Sequence, residues 1–365
     1  MRHLLCPLRL CLFAAATNWA AAAAAQSQLT VPATAVGRDG LGLSHLAGVA
    51  GGRRQQFIVG ASFLSALQGH GIHSISFRRD GQLATLGSGQ ANMRVLISQG
   101  VLDDAKKATM FFAENLGNSS TIVFQGQVNA PSSPRPATRD SVGFGVNEVI
   151  TIILPQPYSY AGGTLCVDVA GTPVGNSLRA WPIDVDRENV RGQVTMLGQS
   201  CVQLAQTFNR HLSADPASLR AGSTMRVRGF AQLGDTAILM LAAQRLGSGM
   251  NLGFLGSPNC ELWLLPEVTL WTAVQSTTPG FPAAANALLH IPHDAAFLAA
   301  AIHAQWLVAQ GASLRTSEGA SLQLAPLPAN IDASIVLSTP SQGNPWPVAG
   351  EVEVGAIPVM QIQYQ

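Results

Sequence analysis

Short runs in which apolar and polar residues alternate recur along most of this chain, and Gly, Pro, Asn and Ser separate them. In residues 72–77, Ile75 and Phe77 fall on one face, whereas Ser74 and Ser76 fall on the other. Because successive side chains of a β-strand point to opposite faces, this period indicates half-buried strands. Further runs that alternate or are rich in β-branched residues lie at 93–97, 121–128, 149–154 and 164–169.

The second half of the chain repeats this pattern, at spacings typical of an all-β sandwich. Its runs lie at 224–228, 236–243, 261–265, 267–274, 287–291, 302–308 and 321–324. We therefore predict an all-β fold of two β-sandwich-like domains in tandem, over residues 29–191 and 192–325. Residues 326–365 form a Pro-rich linker and a short C-terminal β tail, with strand-like runs at 334–337 and 359–364.

One segment departs from the strand pattern. Asp103 and Asp104 can cap a short helix over residues 105–112, and residues 115–117, Asn-Leu-Gly, supply a stop signal. A helix over one end of the first sandwich is the prediction here.

Residues 1–25 have the composition of a targeting segment. Arg2, His3 and Arg9 make a basic start, residues 10–25 are almost all small or apolar, and three alanines precede Gln26. This order predicts a secretory signal peptide that is cleaved before Gln26, with no transmembrane segment remaining afterwards. An uncleaved membrane anchor is the alternative.

Charge argues against two classes of partner. Cleavage would remove Arg2 and Arg9, so 21 basic residues become 19 against 20 acidic ones, and only 11% of the chain is charged. A charge-poor, nearly neutral surface does not favour electrostatic capture of nucleic acid or of an anionic membrane.

Cysteine usage agrees with export. Cys6 and Cys11 would leave with the signal peptide, and Cys166, Cys201 and Cys260 would remain. In an oxidising compartment we expect one disulfide and one free thiol. Three pairings are open on the residues alone.

Several short motifs resemble secreted proteins of planctomycetes in which a β-sandwich domain precedes a C-terminal β module with an "aQW" strand. The motifs of the C-terminal module are GQSC at 198–201, LRAGST at 219–224, GSPNCEL at 256–262, AAIHAQWLV at 300–308 and the closing run 314–324. Those of the upstream domain are RQQF at 54–57, ISFR at 75–78, FAENLG at 112–117 and VFQG at 123–126.

The resemblance implies the fold and export rather than a chemical activity. It also implies that Cys201 and Cys260 form the disulfide, which leaves Cys166 as the unpaired thiol. Residues 326–365 depart from the pattern, since such modules usually end the chain.

No familiar catalytic motif occurs. The chain lacks a Gly-x-Ser-x-Gly elbow, a phosphate-binding Gly-x4-Gly-Lys loop and a His-Glu-x-x-His helix. We therefore expect no enzyme activity and no cofactor, apart from the calcium ion considered next.

The strongest polar cluster is Asp184, Asp186 and Glu188, which would share one strand face or converge in a loop. Carboxylate oxygens at this spacing suit calcium. The alternative is a solvated edge strand whose charges discourage edge-to-edge pairing. A glycosidase pair of carboxylates is a further, weaker interpretation.

Aromatic residues beside Pro or Gly are candidate sugar platforms, because such residues tend to lie in exposed loops. They are Trp181, Trp346, Tyr158 and Tyr160. The tryptophans in strand runs, which we assign to the core, are Trp263, Trp271 and Trp306.

Together these features predict an exported, non-catalytic structural or interaction protein, secreted or at the cell surface. Its expected partners are surface glycans or envelope proteins. A carbohydrate-binding accessory module is the alternative function, and a secreted hydrolase is the third.

Overall fold

The computed structural model describes residues 26–49, 51–175, 181–204, 210–276, 282–338 and 346–365. The predicted signal peptide, residues 1–25, lies outside the described residues. Across these ranges the chain is almost entirely β-structure, in antiparallel sheets, which confirms the predicted all-β fold. Among the described residues, no helix has the length and apolarity needed to cross a membrane.

The strands follow one another closely along the chain. In the first half they are β1 (Ser27–Val31), β2 (Gly42–His45), β3 (Arg53–Val59), β4 (His70–Arg78), β5 (Gly89–Gln99), β6 (Thr121–Ala130), β7 (Val149–Tyr160), β8 (Leu165–Pro173) and β9 (Pro182–Arg187). In the middle they are β10 (Gln193–Leu197), β11 (Leu212–Ala214), β12 (Thr224–Phe230), β13 (Thr236–Ala242), β14 (Arg245–Asn251), β15 (Glu261–Leu264), β16 (Val268–Ala273), β17 (Ala284–His290), β18 (Ala301–Gln310) and β19 (Ser313–Gln323). The last four are β20 (Ala333–Leu337), β21 (Glu351–Val354), β22 (Ala356–Pro358) and β23 (Met360–Tyr364).

Helical structure is sparse. The α-helix, α1, spans Phe112–Leu116. Short 3-10 turns lie at Ala33–Ala35, Ala61–Phe63, Ser65–Leu67, Ala105–Lys107, Arg139–Ser141, Pro216–Ser218, Gly253–Leu255 and Ala295–Phe297.

A first unit is built from three sheets, with strand orders β1-β23-β4-β7, β2-β9-β22 and β21-β20-β3-β8-β5-β6. The inward residues of all three sheets form one buried apolar core, which includes Phe57, Ile75, Val95, Val167 and Ile362. Alternation along β4 puts Ile75 and Phe77 into this core, as the sequence pattern predicted. The two larger sheets therefore pack as the layers of a sandwich.

The segment 326–365, which the sequence set apart as a tail, belongs to this first unit by strand pairing. β20 lies between β3 and β21, and β23 lies between β1 and β4. Ile335 and Ile362 from these strands are buried in the core. Two strands of the tail, β20 and β23, are therefore interior strands of their sheets, and each contributes apolar residues to the core of the first unit.

A second unit comprises β10 to β19. A five-stranded sheet, β10-β19-β18-β13-β16, packs against the three-stranded sheet β11-β12-β17, and the hairpin β14-β15 forms a separate two-stranded sheet. Trp306 on β18 is fully buried and lies on Gly229 of β12, where an added Cβ would sit 2.7 Å from the indole ring. The indole thus joins the two sheets at a position where glycine is required.

A disulfide joins Cys201 to Cys260 within the second unit, as predicted, with their Cα atoms 5.3 Å apart. Cys166 is a free thiol on β8. Its side chain is buried on the outer face of the six-stranded sheet, beneath α1 and the segment before it, and burial raises the pKa of this thiol well above its usual value.

The predicted helix at 105–112 is wrong in its bounds. Asp104 does cap the chain there, since its carboxylate accepts a hydrogen bond from the Lys106 amide at 2.8 Å, but the result is a single 3-10 turn. The α-helix begins only at Phe112 and ends before Gly117, whose φ is 59°. Burial of Phe112 and Leu116 against the sheet sets this position.

Candidate functional site

The carboxylates predicted to bind calcium lie on or next to β9, and each is paired with a different arginine. Asp184 lies 2.5 Å from Arg78, and Asp186 lies 2.7 Å from Arg38. These two acids share one face of β9, which runs between β2 and β22. The strand is therefore interior to its sheet, and the predicted solvated edge strand is wrong.

Glu188 completes the set just after β9. One of its oxygens lies 2.9 Å from Nη2 of Arg220, and the other accepts a hydrogen bond from the amide of Ile331. Each of the three acids thus has a guanidinium partner. These residues do not fit a calcium site, because an arginine already neutralises each negative charge.

A different set of carboxylates does converge. One carboxylate oxygen from each of Asp39, Asp80 and Asp184 lies within 4.8 Å of the other two. Their other contacts are mostly to backbone amides: Asp39 accepts from Gly81 at 2.9 Å, and Asp184 accepts from Gly40 at 2.9 Å. The cluster therefore holds two loops against β9.

Burial and mutual repulsion affect the protonation of this cluster. Burial raises the pKa of Asp184 to about 6, against the opposing effect of Arg78, and the nearby Asp39 charge raises it further. Burial likewise raises the pKa of Asp80. The cluster thus lies beside two buried arginines, Arg78 next to Asp184 and Arg79 next to Asp80.

Two of the predicted sugar platforms are buried. Trp181 is fully buried, and its indole N–H donates a hydrogen bond to the carbonyl of Pro131 at 3.0 Å. Tyr160 is 1% exposed, and its hydroxyl donates to the carbonyl of Gly163. Both rings belong to the first core, so neither can present a face to a sugar.

The other two candidates are more accessible. Tyr158 lies on β7 rather than in a loop, where it is half-buried and packs against the first core. Trp346 is half-buried, and its ring lies over the guanidinium of Arg94 with the centroid 3.5 Å from Cζ. Trp346 borders an open depression of the described surface.

This depression, which we term the Trp346 face, has a volume of about 550 Å³ and lies on the outer side of the six-stranded sheet. Polar side chains on neighbouring strands line it beside the indole, and they are Asn92, Arg94, Gln125 and Thr172. Hydrogen-bonding amides next to a ring are the groups that a sugar-binding surface needs, because sugars combine apolar C–H faces with hydroxyls.

The tryptophans assigned to the core divide between core and surface. Trp306 is buried, Trp263 is half-buried, and Trp271 is 72% exposed. The core assignment of Trp271 is therefore wrong. The neighbouring Leu270 packs on the second core, so alternation along the edge strand β16 sends Trp271 to the opposite face.

No protein-family model, curated protein or solved structure matches this chain. Its site residues are therefore assigned from their geometry. The sequence pattern did not predict the arginines that hold the acids of β9, because Arg38, Arg78 and Arg220 lie far from β9 along the chain. One signal was present in the sequence: Arg78 directly follows Phe77 in the strand run at 75–78, which indicates an arginine close to the core.

Proposed function

We propose that this protein is exported and acts at the cell surface or outside the cell, by interaction rather than by catalysis. One observation carries the proposal. The acids that a hydrolase mechanism would have needed are tied to arginines, as in the buried pair of Asp184 with Arg78. One oxygen of Asp184 accepts hydrogen bonds from Arg78 and the other accepts one from the amide of Gly40, so this buried carboxylate has no free oxygen to reach a proton of a substrate.

Export is supported by two independent features. The basic start and alanine-rich run of residues 1–25 suit a secretory signal. The disulfide between Cys201 and Cys260 suits an oxidising compartment, where such bonds form and persist.

Fusion of residues 1–25 to a reporter enzyme that is active only outside the cytoplasm tests export. We expect reporter activity with the natural segment and none when Leu12 and Phe13 are both replaced by arginine. Equal activity from the two fusions would contradict export. Turnover of a polysaccharide by the mature chain, lost in Asp186→Asn, would contradict the non-catalytic assignment.

The Trp346 face supports a second function, carbohydrate binding. The indole, the Arg94 guanidinium and the amides of Asn92 and Gln125 border one depression. If the partners are envelope proteins instead of glycans, we expect no glycan binding at the Trp346 face.

Retention on immobilised polysaccharides tests this second function. We expect saturable retention by the wild type and a loss of affinity of about tenfold in Trp346→Ala, typical of an aromatic anchor. Trp271→Ala is the matched control, because Trp271 is an exposed tryptophan on another sheet. Equal weakening by both variants, or no retention at all, would exclude the Trp346 face as a glycan site.

A further inference from the structure

A cavity of about 380 Å³ lies where the first unit meets the second. The first unit contributes Ser44 and His45 from β2 and Arg53 from β3. The second unit contributes Ser218 and Ser223 from its loops and Thr224 from β12. The volume falls within the range of small-molecule sites, roughly 300–1,000 Å³.

Arg53 is the distinctive residue of this cavity. It is only 8% exposed, yet no carboxylate of the described residues lies within ion-pair distance of its guanidinium. Its Nε is enclosed without a hydrogen-bond partner, and burial lowers its pKa. The next residue, Arg54, shows the usual arrangement, since it is bidentate to Asp168.

Carboxylates do line the cavity, but each is engaged elsewhere. Glu351 pairs with Arg226, and Oε1 of Glu353 lies 2.8 Å from Nε of Arg187. The remaining acid, Asp215, accepts a hydrogen bond from a backbone amide and caps the Pro216–Ser218 turn. None of these three acids forms an ion pair with Arg53.

A buried cation without a counter-charge is costly, and proteins rarely keep one unless it binds something. We propose that the cavity binds a small organic anion whose carboxylate, phosphate or sulfate group is held by Arg53. A guanidinium stays charged in a protein and presents a fork of N–H donors that matches the oxygens of such groups.

The rest of the cavity suits the carbon skeleton of such a ligand. Nδ1 of His45 is enclosed without a hydrogen-bond partner and can serve a second polar group. Ile335 and Leu337 supply apolar wall. A bare inorganic ion would leave these contacts unused, so the organic anion should bind more tightly than phosphate or sulfate alone.

Isothermal titration of the mature chain with three probes tests the proposal. The probes are sodium glucuronate, sodium phosphate and sodium sulfate, at constant ionic strength set with chloride, and glucose is the uncharged control. We expect saturable binding of glucuronate, weaker binding of the inorganic ions and none of glucose. Binding of glucose as tight as that of glucuronate would overturn the role of the anion, and so would the absence of binding by all three anions.

Variants locate the site. Arg53→Gln should weaken glucuronate binding by at least ~10-fold, as expected for loss of a charged hydrogen-bond donor, and Arg53→Lys should retain part of it. The matched control is Arg245→Gln, because Arg245 is an exposed arginine on β14 outside the cavity. An equal effect of Arg53→Gln and Arg245→Gln would overturn the site.

Two readouts keep the test decisive if a variant folds poorly. Arg53→Gln should raise the melting temperature of the unliganded protein, because it removes the unpaired charge, and should abolish the stabilisation by glucuronate. In the wild type, glucuronate should shift the ring resonances of His45 in histidine-labelled protein. Unshifted His45 resonances at saturating glucuronate would place any binding elsewhere and overturn the proposal.

Discussion

The backbone amide of Val352 donates a hydrogen bond to Oγ1 of Thr224, at 2.9 Å, across the junction of the two units. Val352 lies on β21, an edge strand of the six-stranded sheet. The next outward amide of this strand, that of Val354, donates to the hydroxyl of Ser223 at 3.2 Å. Two hydroxyls of the second unit thus replace the strand that this edge lacks.

Thr224→Val should destabilise the protein by about 1–3 kcal/mol, because it leaves the buried amide of Val352 without a partner at nearly unchanged side-chain volume. Urea unfolding measures the change. Thr236→Val is the control, since Thr236 is exposed at the start of β13 and should tolerate the change. Equal stabilities for the two variants would show that water satisfies this edge.

A chain that ends at Ala325 should lose the fold of its first unit. It would lack β20 and β23, which are interior strands of two sheets, and their buried residues Ile335 and Ile362. Hydrogen exchange should show loss of amide protection in β3 and β4, with protection retained in β13 and β18. Normal protection of β3 in the shortened chain would mean that the tail is dispensable.

In protein that begins at Gln26, the three cysteines Cys166, Cys201 and Cys260 should react in a fixed order. Iodoacetamide should modify none of them in the native oxidised protein, because Cys166 is buried and its thiol pKa is raised. Denaturant alone should expose one thiol, and denaturant with reductant should expose three, as mass spectrometry would show. A modified Cys201 in the unreduced protein would contradict the disulfide.

Reduction of that disulfide should lower the free energy of unfolding by up to about 4 kcal/mol in the chain-entropy model, because the bond closes a loop between residues 59 apart. Urea unfolding with and without reductant gives the value. The Cys201→Ser, Cys260→Ser double variant should behave as the reduced protein does and should not respond to reductant.

The pH dependence of stability should carry a signature of Asp184. Its pKa rises on folding from an ordinary 3.8 to about 6, so between these values the folded state holds a proton that the unfolded state has lost. Stability from this group is therefore present below about pH 4 and is lost as the pH rises towards 6, by at most about 3 kcal/mol.

Asp184→Asn checks this sign, because the amide cannot titrate. The stability of the wild type relative to the variant should fall between pH 4 and pH 6 and be constant outside that window. A relative stability that rises across the window would mean that the ion pair with Arg78 outweighs burial and lowers the pKa of Asp184.

Local sequence patterns predicted much of the secondary structure. The alternation at 72–77 and 302–308 predicted β4 and β18. The aromatic residues show that local patterns do not predict burial. Trp181 lies beside Pro182 and Trp271 lies in a strand, yet Trp181 is buried and Trp271 is exposed. Alternation states which residues share a face, but not which face another sheet covers.

The sequence by itself determined the all-β class, because period-two alternation is a property of neighbouring residues. Its short motifs also led to the prediction that Cys201 pairs with Cys260, and the structure confirms this pairing. Only the tertiary structure decided that the last strands complete the first unit, that the acids of β9 are bound by arginines, and that Arg53 has no acid partner among the described residues. These outcomes depend on contacts between residues that are far apart in the chain. Packing and charge pairing select such contacts, and the local sequence pattern does not encode them.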